Sequence, residues 1–441
     1  MKKLLLTLLF IIISIPSYAL TIISDEETES WLSDVLTPIY KEANLPFDSD
    51  NIHIVKDDSL NAFVGDSNHM FIHTGTLLKA DNTNQIEGVL AHETGHIIGG
   101  HILRLKIKIE ELQKASLASL IAAAGAAAVS GRGDAAIAVV LGTQSSAINS
   151  MSSYQITEER AADETAVDLL KKQNKSIKGL KNFMTKIKAS NRLEGISENP
   201  YFRTHPITTE RIAFFEDKLK TETSTTPSTK LDENLKRIKA KLYAYLSPLP
   251  SVLKKYPLSD KSIYANIAHS IYYMRQKNLN ASLKYINILL SKEPQNPYFW
   301  ELKAQTLFEN TKIKESITAY KKALDLKPSS DIFKLNYAQA ILASSPQRKE
   351  LLPLIPLLEH ANRNKNSPEA YHLLGQTYAN LGEYAIADYF SAEYNHLIGN
   401  NTLAQKQLNK ALKQQLKENI KLRAEDLQQK LKKQSSKKTL F

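Results

Sequence analysis

Two histidines four residues apart with a glutamate beside the first, in Ala91-His92-Glu93-Thr94-Gly95-His96, can act together only if this segment is helical. Residues i and i+4 share a helix face, so His92 and His96 aim ring nitrogens at one ion. Glu93, turned roughly 100° away, faces a water beside it. The flanks agree with a helix. Asn84 reads as its N-cap with Glu87 at N3, and Ile86, Val89, Leu90, Ile97 and Ile98 recur at helical spacing. H-E-x-x-H on a helix is the arrangement that binds zinc and uses the glutamate as general base, which points to peptide hydrolysis with Glu93 as the base. A pair of ordinary surface histidines would leave the apolar surroundings unexplained.

A catalytic zinc takes three protein ligands and keeps a fourth position open, and one helix face offers only two. The third must come from elsewhere in the chain. Glu158-Glu159-Arg160-Ala161-Ala162-Asp163 is the best source. On a helix Glu159 and Asp163 lie one turn apart, so Glu159 can bind the metal while Asp163 accepts a hydrogen bond from a ligand imidazole and sets its tautomer. Ala161 and Ala162 would let this helix approach the first closely. Glu158 competes for the ligand role, and in isolation the stretch is also an ordinary charged helix face.

These motifs occur in order: H-E-x-x-H, then E-x-x-A-D some sixty residues on, then Thr204-His205-Pro206 with Arg211 six residues after the histidine. The set resembles the zinc metallopeptidase family that contains HtpX and the CAAX prenyl proteases, and within it a periplasmic branch with C-terminal tetratricopeptide repeats. The resemblance implies one zinc ion per chain on His92, His96 and Glu159, with Glu93 and Asp163 as the two catalytic acids. It favours Glu159 over Glu158, because only Glu159 fits E-x-x-A-D. The chain departs from the family pattern at Gly99-Gly100-His101. His205 and Arg211 suit stabilisation of a developing oxyanion. His205 is alternatively a resting ligand in the fourth zinc position, and both residues also suit structural roles, a turn before proline and an ion pair.

Asn61-Ala62-Phe63-Val64 followed by Met70-Phe71-Ile72-His73 and Thr74-Gly75 reads as a short hairpin ahead of the motif helix. Asn61, Ala62 and Phe63 match a family segment that pairs with an extended substrate. An edge strand binds peptide through main-chain hydrogen bonds, so sequence preference would be loose. The same pattern fits a strand that merely covers the helix.

Lys2 and Lys3 precede an apolar run from Leu4 to Ile15, then Pro16 and Ser17-Tyr18-Ala19. This is the form of a cleavable secretory signal over residues 1–19. It places the mature protein in the periplasm of a diderm host. The chain contains no cysteine, which excludes a lipidated cysteine and suits an oxidising compartment.

A length of 441 residues, with 42% hydrophobic and 23% charged, accommodates two or three domains with ordinary cores. The polar, aperiodic stretch Thr221 to Thr229 marks a linker, set at 221–231, between a protease domain over 20–220 and a repeat domain over 232–400. Pro294 and Pro328 lie 34 residues apart, with Trp300, Ala304, Tyr320 and Ala323 at repeat positions between them. Tyr371, Leu374-Gly375, Tyr378, Gly382, Tyr384 and Ala387 recover a second tetratricopeptide unit, with a degenerate, lengthened one around Pro346 and Pro353 between. Stacked helix pairs of this kind present a concave groove to protein partners. The fold class is therefore α+β, mostly α: a helical zincin-type metalloprotease domain with a short β-hairpin or sheet, followed by an all-α tetratricopeptide-repeat solenoid.

Two segments fall outside this scheme. Residues 116–149 form an apolar helical hairpin interrupted at Gly131-Arg132-Gly133-Asp134, each arm shorter than the ~20 residues a membrane span requires. The hairpin suits a lid, a contact with membrane or membrane-protein substrate, or simple burial between domains. The tail, 401–441, carries eleven Lys or Arg against three Asp or Glu and so supplies eight of the formal +11. Leu403, Leu408, Leu412, Leu416 and Ile420 recur along it at helical intervals, which suits a helix capping the repeats, or peripheral contact with anionic lipid. Nucleic acid is excluded as a partner for an exported chain with no binding module. The resemblance implies unfolded or misassembled outer-membrane proteins as substrates, and outer-membrane assembly machinery as the partner of the repeats. The competing function is a chaperone or adaptor scaffold whose zinc site is latent or self-inhibited.

Overall fold

The computed structural model describes residues 20–438 except 66–67, 131–132, 195–200, 202–204, 223–224, 226–228 and 363–366. The expected export signal, Gly131-Arg132, Thr204 and part of the expected linker lie outside the described residues.

Helix α1, Glu26–Glu42, starts at Asp25, whose carboxylate accepts from Thr28 N at 2.9 Å, and acids fill its first turn where the helix dipole favours them. Its stripe of Trp31, Leu32, Val35, Leu36 and Ile39 is buried. Four strands follow the order β1-β2-β4-β3, with β1 at Ile22–Ile23, β2 at Ile52–Val55, β3 at Ala62–Val64 and β4 at Met70–His73. The expected hairpin is the antiparallel β3/β4 pair, with Phe63 opposite Phe71, and β4 runs parallel to β2. Strand β3 is therefore an edge strand, with β1 at the opposite edge. The short helix α2, Thr74–Lys79, leads to α3.

Helix α3, Thr83–Gly99, is buried at every position from Ile86 to His96, as befits the central helix of a domain. Its N-cap is Asn82, which accepts from Gln85 N at 3.2 Å, and not Asn84 as the spacing predicts. Asn84 lies inside the first turn, and its amide donates to Ser176 O at 2.7 Å. Glu87, expected to complete the cap, is buried against Lys175 at 2.5 Å. Ser176 engages the side chain of Asn84, a neighbour from ninety-two residues on that local spacing does not announce.

Helix α4, His101–Ser130, and α5, Gly133–Lys172, run alongside each other, so the apolar segment 116–149 is continuous with the helix that carries Glu159 and Asp163. Leu117, Leu120, Ile121, Leu141 and Ile148 are exposed on it. Among the described residues no helix is long and apolar enough to cross a membrane. Helix α6, Lys178–Glu194, packs on α3, and α7, Thr209–Lys220, packs on α6.

The next helix, Thr229–Leu246, begins inside the expected 221–231 linker, whose last three residues are helical, and belongs to both halves. Leu235, Ile238 and Leu242 enter the N-terminal core, while Ala240 and Ala244 enter the first core of the repeats. Trp31 Nε1 donates to Leu231 O at 3.0 Å, and Asp232 accepts from Thr83 N at 2.7 Å. Helix pairs then stack in order: Ile263–Arg275 with Leu279–Lys292, Pro297–Glu309 with Ile313–Leu326, Asp331–Leu342 with Leu354–Asn362, and Pro368–Asn380 with Tyr384–Leu397. Apart from Pro294, which closes it as Pro328 closes the second, the first of these pairs lacks the quoted repeat residues: Asn266, Ser270, Ile286 and Leu289 stand where the second has Trp300, Ala304, Tyr320 and Ala323. Helices Asn401–Leu412 and Glu418–Lys438 bury Leu408, Ile420, Ala424 and Leu427 in the last core cluster and so cap the array.

Candidate metal centre

The close approach of α3 to α5 sets the site. A Cβ on Gly95 would stand 2.8 Å from Ala162 O, so only glycine lets the helices meet here. This brings Glu159 against the motif histidines. His92 Nε2 lies 3.2 Å from Glu159 Oε2 and 3.2 Å from His96 Nε2, and His96 Nε2 lies 3.3 Å from Glu159 Oε1. His205 joins them from the segment before α7, its Nδ1 2.9 Å from Glu159 Oε1. One donor atom from each of His92, His96, Glu159 and His205 lies within 4.8 Å of the others, and all four residues are buried.

This donor set fits zinc. Ligand atoms about 2.0–2.1 Å from a tetrahedral centre stand roughly 3.3 Å apart, which is the spacing the His92, His96 and Glu159 atoms have. Burial works to raise the Glu159 carboxyl, but the charge and hydrogen bond of His205 with those of His92 and His96 hold it well below the usual carboxylate range. It is therefore an anionic donor.

Asp163 Oδ1 lies 2.9 Å from His92 Nδ1, which directs Nε2 toward the cluster. Burial opposes its ionisation, and the neighbouring Arg211 and His92 lower it regardless. Arg211 donates Nε and Nη2 to Asp163, while its Nη1 lies 2.7 Å from Glu159 Oε2 and donates to Pro206 O at 2.8 Å. Arg211 thus ties the segment bearing His205 to α5.

Glu93 stands apart from the donor atoms. Both its carboxylate oxygens are buried and accept no hydrogen bond among the described residues, and His205 Nε2 is 3.6 Å from Oε1. Burial pushes this carboxyl above its ordinary value, with His205 and His92 pulling the other way. A buried carboxylate with unused oxygens suits proton transfer.

A cleft of about 400 Å³ runs past the cluster between β3 and α3, lined by Val64, Gly65, His96, Ile97 and Ile102 among others. His73 N donates to Asn61 O and Gly65 N to His69 O. By the alternation of an antiparallel ladder, Ala62 and Val64 direct their main-chain groups to the open edge. The side chains of Asn61 and Ala62 are buried, and Asn61 N donates to Thr76 Oγ1 at 2.7 Å, so Asn61 serves to hold α2. Phe63 lies on the other face of the sheet, stacked on Phe71 at 4.9 Å.

With this geometry, residues 26–218 match the peptidase family M48, and residues 297–330 and 368–388 match the tetratricopeptide repeat. The chain carries an M48 peptidase domain followed by tetratricopeptide repeats. The beta-barrel assembly-enhancing protease of Escherichia coli (strain K12) is 22% identical over 371 residues, covering 82% of this chain and 74% of that one. The protein of the same name from Yersinia pestis is 21% identical over 340 residues, covering 75% and 68%. Metalloprotease YcaL of Escherichia coli (strain K12) is 31% identical over 170 residues, covering 38% of this chain and 62% of its own length.

Within the M48 domain, three neighbours of the site make contacts that were not read from the sequence. Tyr201 packs its ring 4.6 Å from that of His205, a contact no spacing announces. Glu158, the rival of Glu159, turns outward to His101 Nε2 at 2.6 Å and to Arg104. His101 itself lies 2.7 Å from His96 through its Nδ1. A histidine five residues after His96 was the available signal, beside the Gly99-Gly100 step that departs from the family pattern.

Proposed function

We propose that this chain is a zinc-dependent endopeptidase of the periplasm that degrades misfolded or stalled outer-membrane proteins. Its repeats bind partners, among them the outer-membrane assembly machinery, and it assists assembly in a chaperone-like way. The observation that carries the proposal is the buried convergence of His92, His96 and Glu159 beside the buried carboxylate of Glu93, which accepts no hydrogen bond among the described residues. In such a cluster zinc supplies Lewis acidity, which polarises a peptide carbonyl and makes water a usable nucleophile near neutral pH. Glu93 takes the proton of the attacking water and returns it to the departing amide nitrogen. Asp163 keeps His92 in the tautomer that presents Nε2. An extended substrate lies along the edge of β3, its backbone bonded to Ala62 and Val64, so unfolded chains of many sequences are accepted. The choice of outer-membrane clients is supported by the name of the relatives, and the periplasm by the export pattern of residues 1–19.

The position of His205 within the donor set favours a second reading, a scaffold or chaperone whose zinc site is self-inhibited at rest. Cleavage of an unfolded outer-membrane protein by wild type beside Glu93→Gln, with zinc content measured in both, tests the enzyme. The proposal expects Glu93→Gln to keep zinc and lose cleavage. Normal cleavage by Glu93→Gln would sink it, and absence of cleavage by both, with zinc bound, would favour the scaffold.

A further inference from the structure

The outer nitrogens of the two motif histidines are held differently. His92 Nδ1 faces a carboxylate directly, that of Asp163. His96 Nδ1 faces another histidine, His101 Nδ1, at 2.7 Å, and His101 Nε2 faces Glu158 Oε2 at 2.6 Å. Arg104 closes the chain, its Nε donating to Glu158 Oε1 at 3.1 Å. Adjacent residues on a helix point about 100° apart, so Glu159 meets the donor cluster while Glu158 reaches around its outside.

The proton positions follow from the end of the chain. A carboxylate held by a guanidinium accepts only, so His101 Nε2 donates to Glu158. A singly protonated imidazole with its hydrogen on Nε2 has its lone pair on Nδ1, which then accepts from His96 Nδ1. His96 is left with a lone pair on Nε2, the atom that faces His92 and Glu159.

The backbone is shaped for this relay. Gly100 ends α3 in the left-handed region at φ 63°, which turns the chain so that residue 101 folds back over the helix end. A Cβ on Gly99 would stand 2.0 Å from His101 Nε2, so the ring occupies the space a side chain at 99 would fill. The Gly99-Gly100-His101 step thereby gains a purpose.

We propose that His101, braced by Glu158 and Arg104, is a positioning residue that locks His96 in the tautomer able to bind the metal. This rests on the zinc centre proposed above. The test is the zinc dissociation constant of the full chain, measured by competition with a chromophoric chelator. His101→Ala should weaken zinc ten- to a hundredfold, the usual effect of losing a partner of a ligand histidine. His101→Gln should recover most of that loss, because its amide oxygen accepts from His96 and its NH₂ donates to Glu158. Gly99→Ala, which evicts the ring, should weaken zinc about as much, and the double variant Gly99→Ala/His101→Ala no further. Wild-type affinity in His101→Ala overturns the proposal, as does a Gln variant no better than the Ala variant, since packing alone would then explain the residue. Nitrogen-15 spectra of wild-type histidines test it without any substitution: His101 must carry its proton on Nε2 and a lone pair on Nδ1, and a proton on Nδ1 overturns it. His96→Ala and Glu159→Ala are the references. If they too bind zinc normally, the zinc centre itself is wrong; if they lose zinc and His101→Ala does not, only the relay is.

Discussion

The guanidinium of Arg211 clasps the carboxylate of Asp163 with two hydrogen bonds, Nε to Oδ2 at 2.7 Å and Nη2 to Oδ1 at 2.8 Å, in the interior of the M48 domain. Arg211→Ala would strand Asp163 as a buried charge with only His92 beside it. The expected loss is about 3–5 kcal/mol, as for removal of one partner from a buried pair. Urea unfolding of the metal-free protein measures it. Arg211→Lys should restore only part, because an ammonium cannot span both oxygens. A loss under about 1 kcal/mol for Arg211→Ala, the range of exposed pairs, would refute the structural weight given to this clasp.

His205 shares the carboxylate of Glu159 with the two motif histidines. A ring in that place competes with the water Glu93 must activate, so His205→Ala should raise the rate of cleavage of an unfolded substrate while zinc stays bound. A fall of roughly ten- to a thousandfold with zinc retained would instead assign His205 to the oxyanion. An unchanged rate and zinc affinity would leave it a turn residue before Pro206.

A second buried charge cluster lies where the halves meet. Lys241 faces Asp25, Glu27 at 3.6 Å and Glu301 at 3.9 Å, one cation among three acids. Burial, opposed by Lys241 and aided by Asp25 and Glu27, raises the Glu301 carboxyl to about 7 from 4.5. Between these two values the folded chain holds a proton that the unfolded chain has released, so stability is full below pH 4.5 and declines toward pH 7. The shift corresponds to about 3 kcal/mol. Glu301→Gln removes the titration, so its stability relative to wild type should rise by about that amount between pH 4.5 and pH 8. A difference independent of pH would reject the assignment.

The helix Thr229–Leu246 decides where the chain can be cut. Leu235, Ile238 and Leu242 each contribute roughly 1.5–3 kcal/mol by burial in the N-terminal core, together a large part of the ~5–15 kcal/mol that holds a typical domain. A chain ending at residue 222 should be unstable or aggregate, whereas one ending at 247 should keep its fold and bind zinc, and lose partner binding with the repeats. Cooperative thermal unfolding of the shorter chain with a wild-type midpoint would show that the helix is dispensable.

Much of the site was legible because it is local. The i, i+4 histidines with Glu93 between them, and the Glu159/Asp163 turn, are each set by the geometry of a single helix, whereas the meeting of the two helices is not. The 34-residue period likewise announced the stacked helix pairs from Pro297 onward. The N-cap at Asn82, the outward turn of Glu158 and the hold of Tyr201 on His205 were not legible, because each depends on which distant segment arrives as neighbour.

Helical period, paired histidines and repeat length are written in the sequence itself, since backbone geometry alone turns spacing into a shared face. Tertiary packing alone decided that Gly95 meets Ala162 closely enough to seat Glu159 on the histidines. It also decided that His101 reaches Glu158 across fifty-seven residues, and that one helix serves two cores. Those contacts are set by shape and by the partners competing for each polar group, which no spacing along the chain encodes.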